Sequence, residues 1–235
     1  VKLIKQLLLK IGILKNTYKT SEQIHNEKIN KINNELLYVK DNLIKLLPEE
    51  LQKEFFDKSY ISGGCIYSLY HGKEPKDYDF FVESNYLVER LRDYFLKQAT
   101  YTGEVRSGGL YNGINMTITQ NAITLGKYQI ITQWVGKPEE VINQFDFLHN
   151  MTYWRDGKVV CLSDWKFVSG SKIYYNKGRA RDIVGTIVRL PRFVERGMTV
   201  SNKEISKMLL RLNDVGFSER EIEILENNQL EHFGS

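Results

Sequence analysis

The sequence predicts an α+β fold: a small mixed β-sheet core flanked by N-terminal and C-terminal helices. Apolar residues recur at helical spacing up to about residue 57, and helical periodicity returns after Trp165. Between about Ser59 and Trp165 the texture changes to short β-branched and aromatic runs separated by glycines. Helical and strand-like segments are intermixed in that middle stretch, which favours a sheet packed against helices over a helical bundle. The 235 residues are 42% hydrophobic and include only 4 prolines, enough to bury a sizeable core. The expected organisation is a helical segment over 1–57, a core over 58–165 and a second helical segment over 166–235.

The opening run "VKLIKQLLLKIGILK" is apolar but broken by Lys2, Lys5, Lys10 and Lys15, so it reads as an amphipathic helix and not as a membrane span. Its Leu/Ile stripe is expected to pack on the body of the protein or on another chain, through a protein partner or self-association. Ile24, Ile29, Ile32, Leu36, Leu37, Leu43 and Leu46 continue the helical pattern, and Pro48 in "LPEELQKEFF" marks the start of another helix. "YDFFV", "NMTITQ", "YQIITQWV" and "KVVCL" read as strands, with "SNYLVERLRDYFLKQA" as an amphipathic helix between the first two. Beyond Trp165, "ARDIVGTIVRLPRFVERG" reads as a helix interrupted by Pro191. Ser201 with Glu204 and Ser218 with Glu221 have the spacing of capping boxes that open two further helices.

Composition excludes several classes. Cys65 and Cys161 have neither disulfide-framework density nor metal-ligand spacing, and no secretory signal precedes them, so a cytoplasmic setting is expected. His25, His71, His149 and His232 are scattered, which argues against zinc. The formal net charge of +4 is unevenly distributed: Lys166 to Val200 holds eight Lys/Arg against Asp182 and Glu195, while Ser218 to Ser235 holds five Glu against Arg220. The first of these stretches carries the field that attracts phosphates.

The stretch that carries chemistry is "SGGCIYSLYHGKEPKDYDFFVES", Ser62 to Ser84. Gly63 and Gly64 precede two turns of predicted helix, ended by Gly72 and Pro75, so their N–H groups sit where an anion can approach closely. Asp77 and Asp79, two apart at the start of a strand, are expected to project from one face. Two adjacent carboxylates repel unless a cation lies between them, and a divalent ion such as Mg²⁺, or Mn²⁺, suits the pair. Together the two features suit nucleotidyl transfer: one element holds a triphosphate, and metal-bound aspartates act on the attacking hydroxyl and on the pyrophosphate leaving group.

"GGCIYSLYHGKEPKDYDFFVE" resembles the head signature of the DNA polymerase beta-like nucleotidyltransferase superfamily, and within it the head domain of CCA-adding enzymes and poly(A) polymerases. "FDFLHNMTYWRDGKVV" resembles the second motif of that family and "RLPRFVERGMTV" its Arg-x-x-Arg-Phe helix. The resemblance spans roughly Ser62 to Val200 and implies a small mixed sheet with the aspartates on its surface. It implies triphosphate contacts at Gly63 and Gly64, with Ser62 and Lys76 beside them, and metal binding by Asp77 and Asp79. It makes Asp146 the candidate third catalytic carboxylate and Arg189 and Arg192 candidate phosphate contacts; Arg179 and Arg181, in the same basic stretch, are read as candidates with them.

The sequence also departs from that family. Gln144 and Phe145 stand where an arginine precedes the second-motif aspartate, and Gln129 and Gln133 stand on the later strand that often bears a third carboxylate. "DIVGT" keeps Asp182 but places Thr186 at the position of a base-selecting arginine. About 35 residues follow Val200, too few for the domains that hold a tRNA elbow, so a CCA-adding activity is not expected. The expected function is metal-dependent transfer of a nucleoside monophosphate from an NTP to an acceptor hydroxyl, foremost an RNA 3′ end. The alternatives are an inactive RNA- or protein-binding module on the same fold, or a toxin or defence enzyme acting on tRNA or protein. Lys-, Asn- and Ile-rich usage points to an AT-rich source such as a bacteriophage.

Overall fold

The computed structural model describes residues 19–102, 105–179 and 182–230. The predicted helix at the extreme N-terminus and the candidate phosphate contact Arg181 lie outside the described residues.

Helix α1 (Ser21–Leu46) opens on a reciprocal cap: Thr20 Oγ1 accepts from the Gln23 amide at 3.1 Å, and Gln23 Oε1 accepts from the Thr20 amide at 2.8 Å. Its buried face, Ile32, Leu36, Val39 and Leu43, has the i, i+4, i+7 spacing of a core-facing stripe. Pro48 caps α2 (Glu49–Lys58), as its position in the sequence predicts. The chain then alternates through β1 (Ser59–Ser62), α3 (Gly64–Tyr70), β2 (Tyr78–Val82) and α4 (Asn85–Gln98). Five strands follow: β3 (Thr100–Thr102), β4 (Val105–Tyr111), β5 (Ile114–Ile118), β6 (Ala122–Leu125) and β7 (Tyr128–Val135). Helix α5 (Pro138–Ile142) and a 3₁₀ turn at Leu148–Asn150 lead to the hairpin β8 (Thr152–Arg155) and β9 (Lys158–Cys161).

These nine strands form one sheet in the order β3-β4-β5-β6-β7-β2-β1-β8-β9. Only the central β2–β7 pair is parallel, so the sheet is mixed, as predicted, and mostly antiparallel. Successive residues of the central strands face opposite layers. Ile61, Phe80 and Val82 join a large cluster with Leu36, Leu43, Phe55, Leu91 and Phe95 from the N-terminal helices and α4. Tyr60 and Phe81 face the other way, into a smaller cluster with Ile131, Ile142 and Tyr153. The N-terminal helices therefore contribute to the main core.

The chain continues through α6 (Trp165–Ser169), the short parallel pair β10 (Lys172–Ile173) and β11 (Thr199–Val200), α7 (Ile183–Glu195), α8 (Asn202–Val215) and α9 (Glu219–Glu226). Phe147, Ile173, Ile183, Met198 and Met208 bind this helical layer together. Two local expectations are corrected here. Helix α7 runs unbroken through Pro191, which is exposed and lies in the last turns, where the missing amide costs a single hydrogen bond. Ser201 does cap α8, but Glu204 does not reach back to it; its buried carboxylate accepts from the Tyr175 amide at 2.9 Å and ties α8 to the segment before α7. The Ser218–Glu221 box is formed. No described helix is long and apolar enough to cross a membrane.

Candidate active site

The glycine pair sits at the turn from β1 into α3. Gly63 is the N-cap residue with φ 90°, a conformation that side-chain-bearing residues rarely adopt. Pairing of β1 with β2 sets Ser62 opposite Asp79, and a Cβ on Gly63 would lie 2.7 Å from Asp79 Oδ2. The glycine is thus required both by the backbone and by the carboxylate packed against it. Strand β2 begins at Tyr78, whose amide bonds the Lys127 carbonyl at 2.8 Å, so Asp77 ends the preceding turn and does not open the strand as expected. It remains beside Asp79. Burial, then the charge of Asp77, pushes the Asp79 carboxyl up to about 7, against the opposing pull of Arg196.

A cleft opens in front of Asp79 and divides into two lobes. The larger, of about 890 Å³, lies between the β2–β7 surface, α7 and the start of α9, and is walled by Phe81, Trp134, Phe145, Arg192 and Arg220. The smaller, of about 350 Å³, lies among α3, the turn that carries Lys73, Lys76 and Asp77, and the end of α7. Gly64, Asp79, Asn150, Phe193 and Arg196 border both lobes.

On the wall of the larger lobe, Asp146 holds a largely buried ionic cluster with Arg179, Asp182 and Arg189. It accepts from Arg189 through both oxygens, Nε to Oδ2 at 2.7 Å and Nη2 to Oδ1 at 2.9 Å, and from Thr186 Oγ1 at 2.7 Å. Arg179 pairs with the same carboxylate at 2.9 Å. Asp182, in the left-handed region at φ 37°, caps α7 through the Gly185 amide at 2.7 Å and approaches Arg189 at 3.3 Å. A Cβ at position 185 would come within 2.1 Å of the Asp182 carboxylate, which is why the first turn of α7 holds a glycine. Burial opposes ionisation of Asp146, and the hydrogen bonds and charges of Arg189, Arg179 and Thr186 overcome it, holding its carboxyl below the usual range.

These contacts revise several assignments. Ser62 is fully buried and its hydroxyl donates to the Thr152 carbonyl at 2.6 Å, so its side chain faces the sheet and not a phosphate. The oxygens of Asp146 are engaged by two arginines and a hydroxyl. It forms no three-carboxylate group with Asp77 and Asp79, and no group of three metal-ligating side chains occurs among the described residues. On β7 the partner of Asp79 is Gln129, so the neighbouring strand adds no carboxylate there. Arg179 and Arg189, with side chains 4% and 11% exposed, are neutralised by Asp146 and Asp182 and serve to fix α7. Thr186 is buried, and its hydroxyl donates to Asp146. Lys76 is exposed on the rim of the smaller lobe, and Arg192 is exposed on the wall of the larger one. Arg196, His149 and Trp134 also border the cleft and carry no site assignment from sequence. The i, i+3, i+7 spacing of Arg189, Arg192 and Arg196 was the available signal for the first of these.

The fold and site define a mixed α+β protein with two carboxylates set beside a glycine turn, in a cleft edged by cations. The chain belongs to the Gabija anti-defense 2 family, whose profile matches residues 24–168. It is 42% identical over 55 residues to poly(A) polymerase I of Haemophilus influenzae, a match over 23% of this chain and 12% of that protein. Among solved structures it is similar to the CCA-adding enzyme of Bacillus stearothermophilus in complex with CTP (17% identity, TM-score 0.42, 65% of this chain and 38% of that one). It is also similar to the Thermotoga maritima CCA-adding enzyme complexed with tRNA (14% identity, TM-score 0.43, 73% of this chain and 44% of that one). The chain thus spans under half the length of each of these relatives.

Proposed function

We propose that this protein transfers a nucleoside monophosphate from an NTP to an acceptor hydroxyl and releases pyrophosphate. One observation carries the reading: Asp79, held against Gly63 with Asp77 beside it, lies where the two lobes of the cleft meet. A group transferred between two substrates has to pass such a point. The two carboxylates are hard oxygen donors whose mutual repulsion Arg196 opposes only in part, and they fit Mg²⁺ or Mn²⁺, which take one or two protein carboxylates and complete their shell with water and phosphate oxygens. When bound, such an ion supplies charge neutralisation at the phosphates and lowers the pKa of a coordinated hydroxyl.

The protein's own residues supply position. Asp77 and Asp79 would hold that ion at the point where the two lobes meet, and the glycine turn beside them leaves room for the phosphate to be presented for in-line attack. The acceptor oxygen forms the new bond to that phosphorus as the bond to the pyrophosphate oxygen breaks, and the acceptor proton leaves to solvent or to a carboxylate. The ionic cluster under α7 keeps the far wall of the cleft in register with Asp79. An RNA 3′ end is the leading acceptor, supported by the local likeness to a poly(A) polymerase and by the aromatic wall of the larger lobe.

Incubation of the full chain with each α-³²P-labelled NTP, Mg²⁺ or Mn²⁺, and total RNA or host protein tests this, beside Asp77→Ala/Asp79→Ala. Label moving to RNA or protein with the wild type alone supports the reading and identifies the acceptor. Gln129 beside Asp79 favours a second reading, a nucleotide-binding module without catalysis that acts on its partner by contact, within the anti-defence role that the family name denotes. NTP binding without any transfer selects that reading, and the absence of both binding and transfer ends both.

A further inference from the structure

The polar side chains that border the larger lobe fall into two groups. On the helical side, Asp146, Arg179, Asp182 and Arg189 are engaged with one another. On the sheet side, three carboxamides make no side-chain hydrogen bond among the described residues: Gln120 and Asn121 in the β5–β6 turn, and Gln133 near the end of β7. Trp134, the next residue, adds an aromatic surface to that wall. The turn that carries two of these amides is fixed from outside the cleft. Arg92 of α4 donates through Nη1 to the Thr119 carbonyl at 2.8 Å and to Thr132 Oγ1 at 3.1 Å, with the Gln120 carbonyl at 3.4 Å. Thr132 Oγ1 donates in turn to the Gln120 carbonyl at 3.1 Å. The Asn121 carbonyl accepts from the amides of Thr132 at 2.8 Å and Gln133 at 3.2 Å, which sets Gln133 beside Asn121. Thr119 Oγ1 accepts from the Ala122 amide at 3.1 Å and closes the turn. Arg92 borders neither lobe, so its hydrogen bonds serve the turn and not a ligand. Hairpin turns are commonly the mobile parts of a sheet, and this one is braced on both sides.

We propose that Gln120 and Asn121, with Gln133 beside them, select the base of the incoming nucleotide, and that Arg92 is the positioning residue that presents them. This rests on the nucleotidyl-transfer reading and adds to it which base is taken and which residues choose it. A carboxamide offers one donor and one acceptor side by side, the pattern that answers N6 and N7 of adenine, whereas the paired acceptors of guanine are answered by arginine or lysine. The exposed arginines of the lobe, Arg192 and Arg220, belong to α7 and α9 and not to this wall. ATP is therefore the favoured nucleotide. Selection also requires that the amides be held still, because a carboxamide on a loose turn can rotate to suit any base. Arg92 and Thr132 meet that requirement by fixing the backbone from which Gln120 and Asn121 project.

Titration calorimetry of the full chain with ATP, GTP, CTP and UTP in Mg²⁺, and with inorganic tripolyphosphate as a base-free probe, tests the inference. The proteins compared are wild type, Gln120→Ala/Asn121→Ala, Arg92→Ala, Arg92→Lys and the triple variant that joins the three alanines. Wild type is expected to bind ATP more tightly than GTP by about 5- to 100-fold, the scale of a bidentate base contact. The two affinities should come within about 2-fold of each other in Gln120→Ala/Asn121→Ala and in Arg92→Ala, with the affinity for tripolyphosphate unchanged. Arg92→Lys should recover part of the preference, and the triple variant should lose no more than the double, the mark of a residue that acts through others. A wild type that binds the four nucleotides alike or favours GTP overturns the inference while the transfer reading stands, and so does a preference kept in Gln120→Ala/Asn121→Ala. A preference lost there but kept in Arg92→Ala overturns the role of Arg92. If the wild type binds no nucleotide, the inference and the transfer reading fall together.

Discussion

Gly63 and Asp79 exclude any larger residue at position 63: a Cβ there would sit 2.7 Å from Asp79 Oδ2, on a backbone at φ 90°. Gly63→Ala therefore incurs about 1–2 kcal/mol of backbone strain and must also displace the carboxylate. The comparison is Gly72→Ala, which also has a positive φ (68°) but open space around its Cβ. Both variants are expected to lose stability on denaturant unfolding, Gly63→Ala the more, with only Gly63→Ala losing transfer, by 100-fold or more. Equal activity in the two would show that the packing of Asp79 on Gly63 is irrelevant to function.

The Asp146 cluster makes a separate prediction, on stability. Asp146→Asn leaves Arg179 and Arg189 buried with one carboxylate fewer, a loss of about 3–5 kcal/mol and about 10 °C in Tm. The folded-state pKa of Asp146 is depressed below its ordinary 3.8. Its stabilising contribution is therefore complete above that value and is lost as pH falls through the lower folded-state pKa. Wild type and Asp146→Asn should converge in stability in strong acid and diverge towards neutrality. Parallel curves across that range would place the cluster's energy elsewhere.

Much of this fold was legible because its signals are local. "YDFFV" and "YQIITQWV" match β2 and β7 residue for residue, and the Gly-Gly-helix-Asp-x-Asp order matches the β1–α3–β2 succession. β4, with the sequence "VRSGGLY", carries two glycines that weaken any strand pattern, and its pairing is decided by its neighbours β3 and β5. The sequence is silent where long-range partners decide a side chain's surroundings. Ser62 was assigned from its adjacency to the glycines, but Thr152, ninety residues away, takes its hydroxyl. Arg179 and Arg189 both pair with Asp146, more than thirty residues before either in the chain. Arg196 meets the site only through the fold, which brings the end of α7 to Gly64.

Lys40 tests the core. Its ammonium is buried, donates to the carbonyls of Phe56 at 2.8 Å and Ser59 at 2.9 Å, and has its pKa lowered by burial from 10.5 to about 8. Between those values the unfolded chain binds more protons than the folded one, so this group makes stability rise with pH across that window. Relative to Lys40→Met, wild type should gain stability from pH 8 to pH 10.5, as measured by urea midpoints. A flat difference would mean that the ammonium is hydrated in the folded state.

The last prediction concerns Asp79, whose folded-state value of about 7 lies above its ordinary 3.8. A raised carboxyl binds more protons in the folded state, so its contribution to stability falls as pH rises from 3.8 through about 7. Without metal, Asp79→Asn should match wild type near pH 4. At pH 8 it should exceed wild type by on the order of 3 kcal/mol, since the amide carries no charge to bury. Millimolar Mg²⁺ with NTP should reverse the order at pH 8, because only the wild type offers the cation a carboxylate there. The transfer rate should rise between pH 6 and 8 as that carboxylate ionises. Thermal unfolding of both proteins at pH 4, 6 and 8, with and without Mg²⁺ and ATP, checks each step. An Asp79→Asn protein no more stable than wild type at pH 8 without metal would show that Asp79 ionises freely, and the charge repulsion that draws a cation to this site would not exist.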